Sequence, residues 1–231
     1  MKIHIFYRHY NITGNDNKNR PHWFDFEECF VNLLNTIEGK NVNLHLIMDG
    51  DIKTNFVGKY KDKFILHNIE AKSDQSSFNQ TWGIVKQLSL GEKDLIYFLE
   101  NDYLHVNDWV DKVLDIFQTF VELNYISLYD HNDKYFLRMY DDLVSKVFTT
   151  TKHHWRTTPS TCGSFIINKK IFEEDYNEHI TINGDHDKFI YLAQTKNRHI
   201  LTPIPGLSTH CMEFLLSPTI DWEKINNDKF I

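Results

Sequence analysis

The chain has 231 residues, 41% of them hydrophobic and 14% aromatic, with 25 Lys and Arg against 32 Asp and Glu for a formal charge of −7. A chain of this length closes one sizeable core, and its aromatic content with mixed charge excludes a disordered protein. The net acidity excludes a nucleic-acid reader, which needs basic stripes, and nine Gly with five Pro exclude collagen-like or low-complexity chains.

The first third alternates strand and helix signals. Residues 2–8 read as a strand, followed by a polar loop over 11–20. Phe26, Phe30, Leu33, Leu34 and Ile37 form an apolar stripe at helical spacing, predicting a helix over 24–37. Strands follow at 41–48 and 63–69, the first running into Asp49-Gly50-Asp51. A helix over 76–90 carries Phe78, Trp82, Val85 and Leu88. Residues 94–99 are a short, nearly unbroken apolar run, as a strand buried on both faces requires. The next helix, 109–121, has the stripe Trp109, Val110, Val113, Leu114 and Phe117, and both Trp82 and Trp109 read as core.

The middle of the chain predicts short strands at 125–129, 135–140, 146–150 and 162–168. Helices follow over 170–176 and 184–194, the latter with Asp185 as its N-cap. Pro203, Pro205 and Pro218 predict a mostly irregular tail. Strand–helix–strand repetition gives the fold class: α/β, a mixed, mostly parallel sheet flanked by helices in a single domain.

Three widely spaced cysteines, Cys29, Cys162 and Cys211, with no C-x-x-C, argue against a disulfide framework or a structural zinc. The apolar stretch at the start is too short for a signal sequence, and no run reaches the roughly 18 residues of a membrane span. A cytoplasmic protein is the expectation, and the sequons at Asn11 and Asn79 then carry no meaning.

In open α/β sheets ligands sit beyond the carboxyl ends of the strands. Two acidic clusters lie there: Asp49-Gly50-Asp51, and Glu100-Asn101-Asp102 directly after the buried strand. Acidic residues spaced by one can hold a hard divalent cation through oxygen ligands. The adjacent pair His153-His154 points in opposite directions along an extended chain and does not read as a metal site.

Leu99-Glu100-Asn101-Asp102-Tyr103-Leu104, with a helix opening near Trp109, resembles the D-x-D or E-D-D segment of nucleotide-sugar-dependent glycosyltransferases of the GT-A fold. Cys162-Gly163-Ser164-Phe165-Ile166-Ile167 resembles the small-residue strand beside sugar and acceptor in that fold, and Gly184-Asp185-His186-Asp187 the segment supplying the base of inverting members. His210 stands where many members place a late metal ligand. The first acidic position is Glu100 rather than Asp, a departure from the family pattern.

The resemblance implies a nucleotide-binding half over 1–104 and an acceptor-binding half with C-terminal tail over 105–231. It implies that Asp102 and His210 bind Mn2+ or Mg2+, while Glu100 touches ribose or a metal-bound water and Asn101 lies between them. Asp49 would face base or ribose, and Tyr7 and Arg8 would line the base pocket and offset phosphate charge. Gly163 and Ser164 would lie against the sugar; apart from the resemblance, the residue types alone suggest that Trp155 stacks on a sugar ring and Arg156 reaches phosphate. Asp185 or Asp187 would be the general base. The implied activity is metal-dependent, inverting transfer from a nucleotide sugar, a UDP-sugar foremost, to a glycan or other hydroxyl acceptor. A His/Asp metallohydrolase and a GT-A module that binds nucleotide or carbohydrate without catalysis are the competing expectations.

Overall fold

The computed structural model describes residues 1–11 and 16–228; residues 12–15, with most of the first sequon and part of the predicted polar loop, and 229–231 lie outside the described residues. Four strands build the first half: β1 (Ile3–Tyr10), β2 (Val42–Asp49), β3 (Ile65–Ile69) and β4 (Leu95–Glu100). β1 is central and parallel to both β2 and β4, with Ile3 opposite Val42 and Leu95. β1 and β4 are buried on both faces, which is why their sequences read as nearly continuous apolar residues, whereas β3 at the sheet edge is largely exposed.

Period-two alternation divides these side chains between two cores. Ile3, Ile5 and Tyr7 face one side, against Phe30 and Leu33 of α1 (Phe26–Ile37) and Val113 and Ile116 of α3 (Trp109–Thr119). Phe6 and Phe98 face the other, against Phe78 and Trp82 of α2 (Asp74–Gln87). Asp25 caps α1 by accepting hydrogen bonds from the Glu27 and Glu28 amides at 2.7 and 3.1 Å. Trp82 and Trp109 are core residues, as their helical spacing predicts.

The second half adds β5 (Tyr103–His105), β6 (Tyr125–Ile126), β7 (Val147–Thr149), β8 (His154–Thr158), β9 (Phe165–Asn168), β10 (Ile200–Ile204) and β11 (Ser208–His210). Its helices are α4 (Lys169–Glu174), α5 (Tyr176–Thr181), α6 (Asp185–Lys196) and α7 (Trp222–Asn227). Among the described residues one sheet runs β3-β2-β1-β4-β9-β6-β10-β8-β7, and β5 pairs with β11 in a small second sheet. β9 lies antiparallel between β4 and β6, so the sheet is parallel through its first four strands and mixed beyond.

Two expectations are corrected here. Residues 135–140 are not a strand: they lie in two short 3-10 turns, Asn132–Tyr135 and Arg138–Tyr140. The tail after Gln194 is mostly irregular, as its prolines predict, with β10, β11 and α7 set into it. Pro203 sits in β10 opposite Trp155, and Trp222 closes a small cluster with Cys29, Leu104 and Cys211. Asp185 does not cap α6; Gly184 occupies that position at φ +81°, a left-handed value that favours glycine, and Asp185 is the first helical residue.

Candidate active site

A cleft of roughly 550 Å³ opens beyond the carboxyl ends of β1, β2 and β4. Arg8, His9 and Tyr10 enter it from β1, Asp49 from β2, residues 71–74 and Ser77 from the start of α2, and Glu100, Asn101 and Asp102 from the end of β4. Strand register explains the central ion pair. Arg8 and Glu100 are cross-strand partners, and Arg8 Nη2 donates to Glu100 Oε1 at 3.0 Å. The second arm of the guanidinium donates to Asp74 Oδ1 at 2.7 Å.

Gly163 closes the floor of this pair. A Cβ there would stand 3.0 Å from Arg8 Nη2 and 3.6 Å from the Glu100 carboxyl carbon. Ser164 Oγ accepts from the Glu100 amide at 3.2 Å and donates to Oε2 at 3.4 Å. Burial pushes the Glu100 carboxyl above its ordinary range, and the Asp102 charge adds to that push. Ser164 thus holds Glu100, and Gly163 leaves the room that the Arg8–Glu100 pair occupies.

Asp102 is the second focus. The β5–β11 pair sets His210 opposite Tyr103 with their rings stacked, and the Cys211 amide donates to the Asp102 carbonyl at 2.9 Å. His210 Nε2 consequently meets Asp102 Oδ2 at 3.0 Å. Lys18 Nζ and Arg20 Nη2 donate to the same oxygen, each at 2.9 Å. Asp102 is 1% exposed, and its buried Oδ1 has no hydrogen-bond partner among the described residues. Burial alone would raise this carboxyl; the His210 hydrogen bond and the charges of His210, Lys18 and Arg20 hold it well below the usual range.

A second recess of roughly 250 Å³ lies on the other side of His210. Tyr129, His131, Lys134, Asp185 and His186 line it with His210. Asp185 accepts from Lys188 Nζ at 3.3 Å and leaves the recess partly open to solvent, whereas Asp187 is exposed and outside it. The 3.0 Å contact of Asp102 with His210 is thus the junction of two cavities, one lined by residues 8–102 and the other by residues 129–215.

The remaining candidates sit elsewhere. Tyr7 is buried in the core and donates its hydroxyl to the Asn101 carbonyl at 3.2 Å, so it positions the loop rather than lining a base pocket. Trp155 is fully buried in the first core, with neither ring face open to a sugar. Arg156 is committed to a buried pair with Asp130, Nη2 to Oδ1 2.7 Å, and lines neither cavity. Asn101 holds His9, Nδ2 to Nδ1 3.1 Å, and burial lowers the His9 imidazole to about 4, so it stays neutral. Asp49 lies at the cleft edge, where its Oδ1 accepts from the Ala71 amide at 3.3 Å.

Lys18, Arg20 and Asp74 are site residues the sequence reading missed. Lys18 and Arg20 follow β1 at its carboxyl end, the position rule that selected Asp49 after β2, but they stand eight and ten residues beyond Tyr10 in a polar stretch without periodicity.

No family profile and no curated protein matches the sequence. The structure aligns with a CMP:2-keto-3-deoxy-manno-octonic acid synthetase solved with CTP at a TM-score of 0.52 and 10% identity, over 98% of each chain. It aligns with a Desulfovibrio desulfuricans G20 protein assigned as a nucleotide-diphospho-sugar transferase at a TM-score of 0.51 and 12% identity, over 87% of this chain and 80% of that one. At these identities the likeness shows the fold, which is the GT-A-like, Rossmann-related α/β fold that the synthetase and the transferase share.

Proposed function

We propose that the protein is a glycosyltransferase that moves a sugar from a nucleotide donor in the cleft to a hydroxyl acceptor in the recess. The observation that carries this reading is the junction: Asp102 of the cleft touches His210 of the recess at 3.0 Å, and a carboxylate, Asp185, lines the recess side. A donor lying along the strand ends presents its anomeric carbon near that junction, and an acceptor in the recess meets it from the far side. The fold supports a nucleotide-binding first half. On this reading residues 1–104 supply the donor cleft and 105–231 the acceptor recess; the cleft lining falls in the first range and the recess lining in the second.

Asp185 is assigned as the base that takes the acceptor hydroxyl proton as attack proceeds. It lies in the recess while Asp187 does not, and Lys188 fixes its Oδ1 and leaves Oδ2 for the acceptor. A carboxylate opposite the departing diphosphate gives inversion at the anomeric carbon. Asp49 is left to bind base or ribose from the cleft edge, and Glu100, paired with Arg8, to contact the ribose or a metal-bound water.

The residues present fit a divalent cation, Mn2+ or Mg2+. Asp102 offers a buried oxygen with no partner among the described residues, and His210 stands beside it. Among the described residues no group of three His, Cys, Asp or Glu forms a closed site, so the protein offers two ligands and leaves the others to the donor. When bound, the cation would act as a Lewis acid on the leaving diphosphate.

The test is a panel of UDP-, GDP- and dTDP-sugars with glycan acceptors, read as released nucleoside diphosphate. Asp185→Asn is expected to abolish transfer while nucleotide affinity is kept. Normal turnover in that variant removes the base assignment, and turnover of no donor removes glycosyl transfer. Product from CTP and a free sugar acid would instead support nucleotidyl transfer, the chemistry named for the synthetase of the same fold. Phosphate release from generic esters would support the metallohydrolase.

A further inference from the structure

A nucleotide diphosphate brings about two negative charges into a cleft whose cations must be able to turn toward it. Arg8 cannot. The residue is 6% exposed, and the two arms of its guanidinium are committed to Glu100 and Asp74. The phosphate-neutralising role that the sequence suggests for Arg8 therefore needs another cation.

Lys18 and Arg20 are placed differently. Their ammonium and guanidinium groups converge with His210 on one oxygen of Asp102, while the other oxygen of the same buried carboxylate receives no hydrogen bond among the described residues. Three donors on one oxygen and none on its twin is an uneven use of a buried acceptor. The Lys18 side chain is 47% exposed, and among the described residues its ammonium bonds Asp102 alone, so it can pivot without opening the core. Arg20 is anchored more firmly, on Asp16 at 2.6 Å, on the Cys211 carbonyl at 2.8 Å and over the Phe24 ring.

Resting on the glycosyl-transfer reading, we propose that Lys18, with Arg20 beside it, is the diphosphate-binding cation of the cleft, held on Asp102 when no donor is present. On binding, the Lys18 ammonium exchanges the Asp102 oxygen for a phosphate oxygen, and Arg20 turns one Nη toward the same group while Asp16 keeps its Nε. The exchange conserves charge pairing in both states. It also releases the Asp102 carboxylate for the cation assigned to it and His210. Lys suits this pivot because its ammonium is a compact point charge on a flexible stem.

Titration of wild type, Lys18→Gln and Lys18→Arg with pyrophosphate, UDP and uridine at fixed magnesium tests the assignment, with thermal midpoints as the folding control. Lys18→Gln is expected to weaken UDP and pyrophosphate by about tenfold or more and to leave uridine unchanged, the size of one lost charge-assisted hydrogen bond. Lys18→Arg is expected to retain most of the affinity. Equal UDP and pyrophosphate affinity in Lys18→Gln and wild type, or a parallel loss for uridine, overturns the proposal. Pyrophosphate binding that depends on Lys18, without any nucleotide binding, would keep this assignment and remove the nucleotide-sugar reading. A wild type that binds neither probe overturns both.

Discussion

Lowering the pH from 7 to 5 should destabilise the fold through histidines buried in the neutral form. His4, His45 and His67 form a chain across β1, β2 and β3: His45 Nε2 lies 3.2 Å from His4 Nδ1, and His45 Nδ1 lies 3.0 Å from His67 Nε2. His4 Nε2 ends the chain 3.5 Å from Asp94. One direction of donation satisfies it throughout, from His67 to His45 to His4 to Asp94, with every ring neutral. Burial lowers the His45 imidazole from 6.5 to about 4, with the neighbouring His4 and His67 adding to the shift. The unfolded chain thus takes up a proton near 6.5 and the folded chain only near 4. His45 therefore contributes stability above 6.5 that drains away as the pH falls through that window.

At pH 5 the loss from His45 comes to about 2 kcal/mol, a large part of the 5–15 kcal/mol typical of a domain. His9, lowered to about 4, and His105, lowered to about 3, act in the same direction, also through burial. Urea denaturation of wild type and His45→Gln at pH 7 and pH 5 isolates the term. The variant should lose about 2 kcal/mol less than wild type over that interval. An equal loss in both proteins would refute the reasoning, since the groups that do not contact His45 cancel in the difference.

Gly163→Ala puts a Cβ 3.0 Å from a guanidinium nitrogen that has no slack, so nucleotide affinity should fall, with a stability cost of about 1–3 kcal/mol measured by denaturation. Trp155→Ala empties a fully buried site and should cost about 3–5 kcal/mol, with donor affinity unchanged in the fraction that stays folded; a selective loss of affinity would restore a sugar-stacking role. Asp187→Asn, outside the recess, should turn over like wild type in the donor assay, in contrast to Asp185→Asn.

The first half of the fold was legible because each of its signals is local. Residues 95–99 are apolar throughout since β4 is covered on both faces, and the stripe from Phe26 to Ile37 faces one core. The acidic ends of β2 and β4 were legible for the same reason: a strand's end fixes where the next residues point. The second half depends on contacts between distant residues. Residues 135–140 carry strand-forming Tyr, Phe and Leu, yet they turn so that Lys134 Nζ meets the Tyr140 hydroxyl at 3.0 Å and Tyr135 reaches Asp130 at 2.7 Å. Arg156 looked free beside Trp155, but its partner Asp130 is 26 residues away. Likewise Lys18 and Arg20 gain their place only when β5 and β11 have set Asp102 beside His210. Among the described residues no helix is long and apolar enough to cross a membrane.

The acidity of the chain takes a sharper meaning at this site. A net charge of −7 does not bar a phosphate-bearing donor if carboxylates first recruit a divalent cation, which inverts the local field. Calorimetric titration of the protein with UDP, GDP and dTDP, in manganese and then in excess EDTA, tests the central claim most directly. One of the three should bind in manganese and lose most of its affinity on chelation. No binding of any nucleoside diphosphate in manganese would contradict the account.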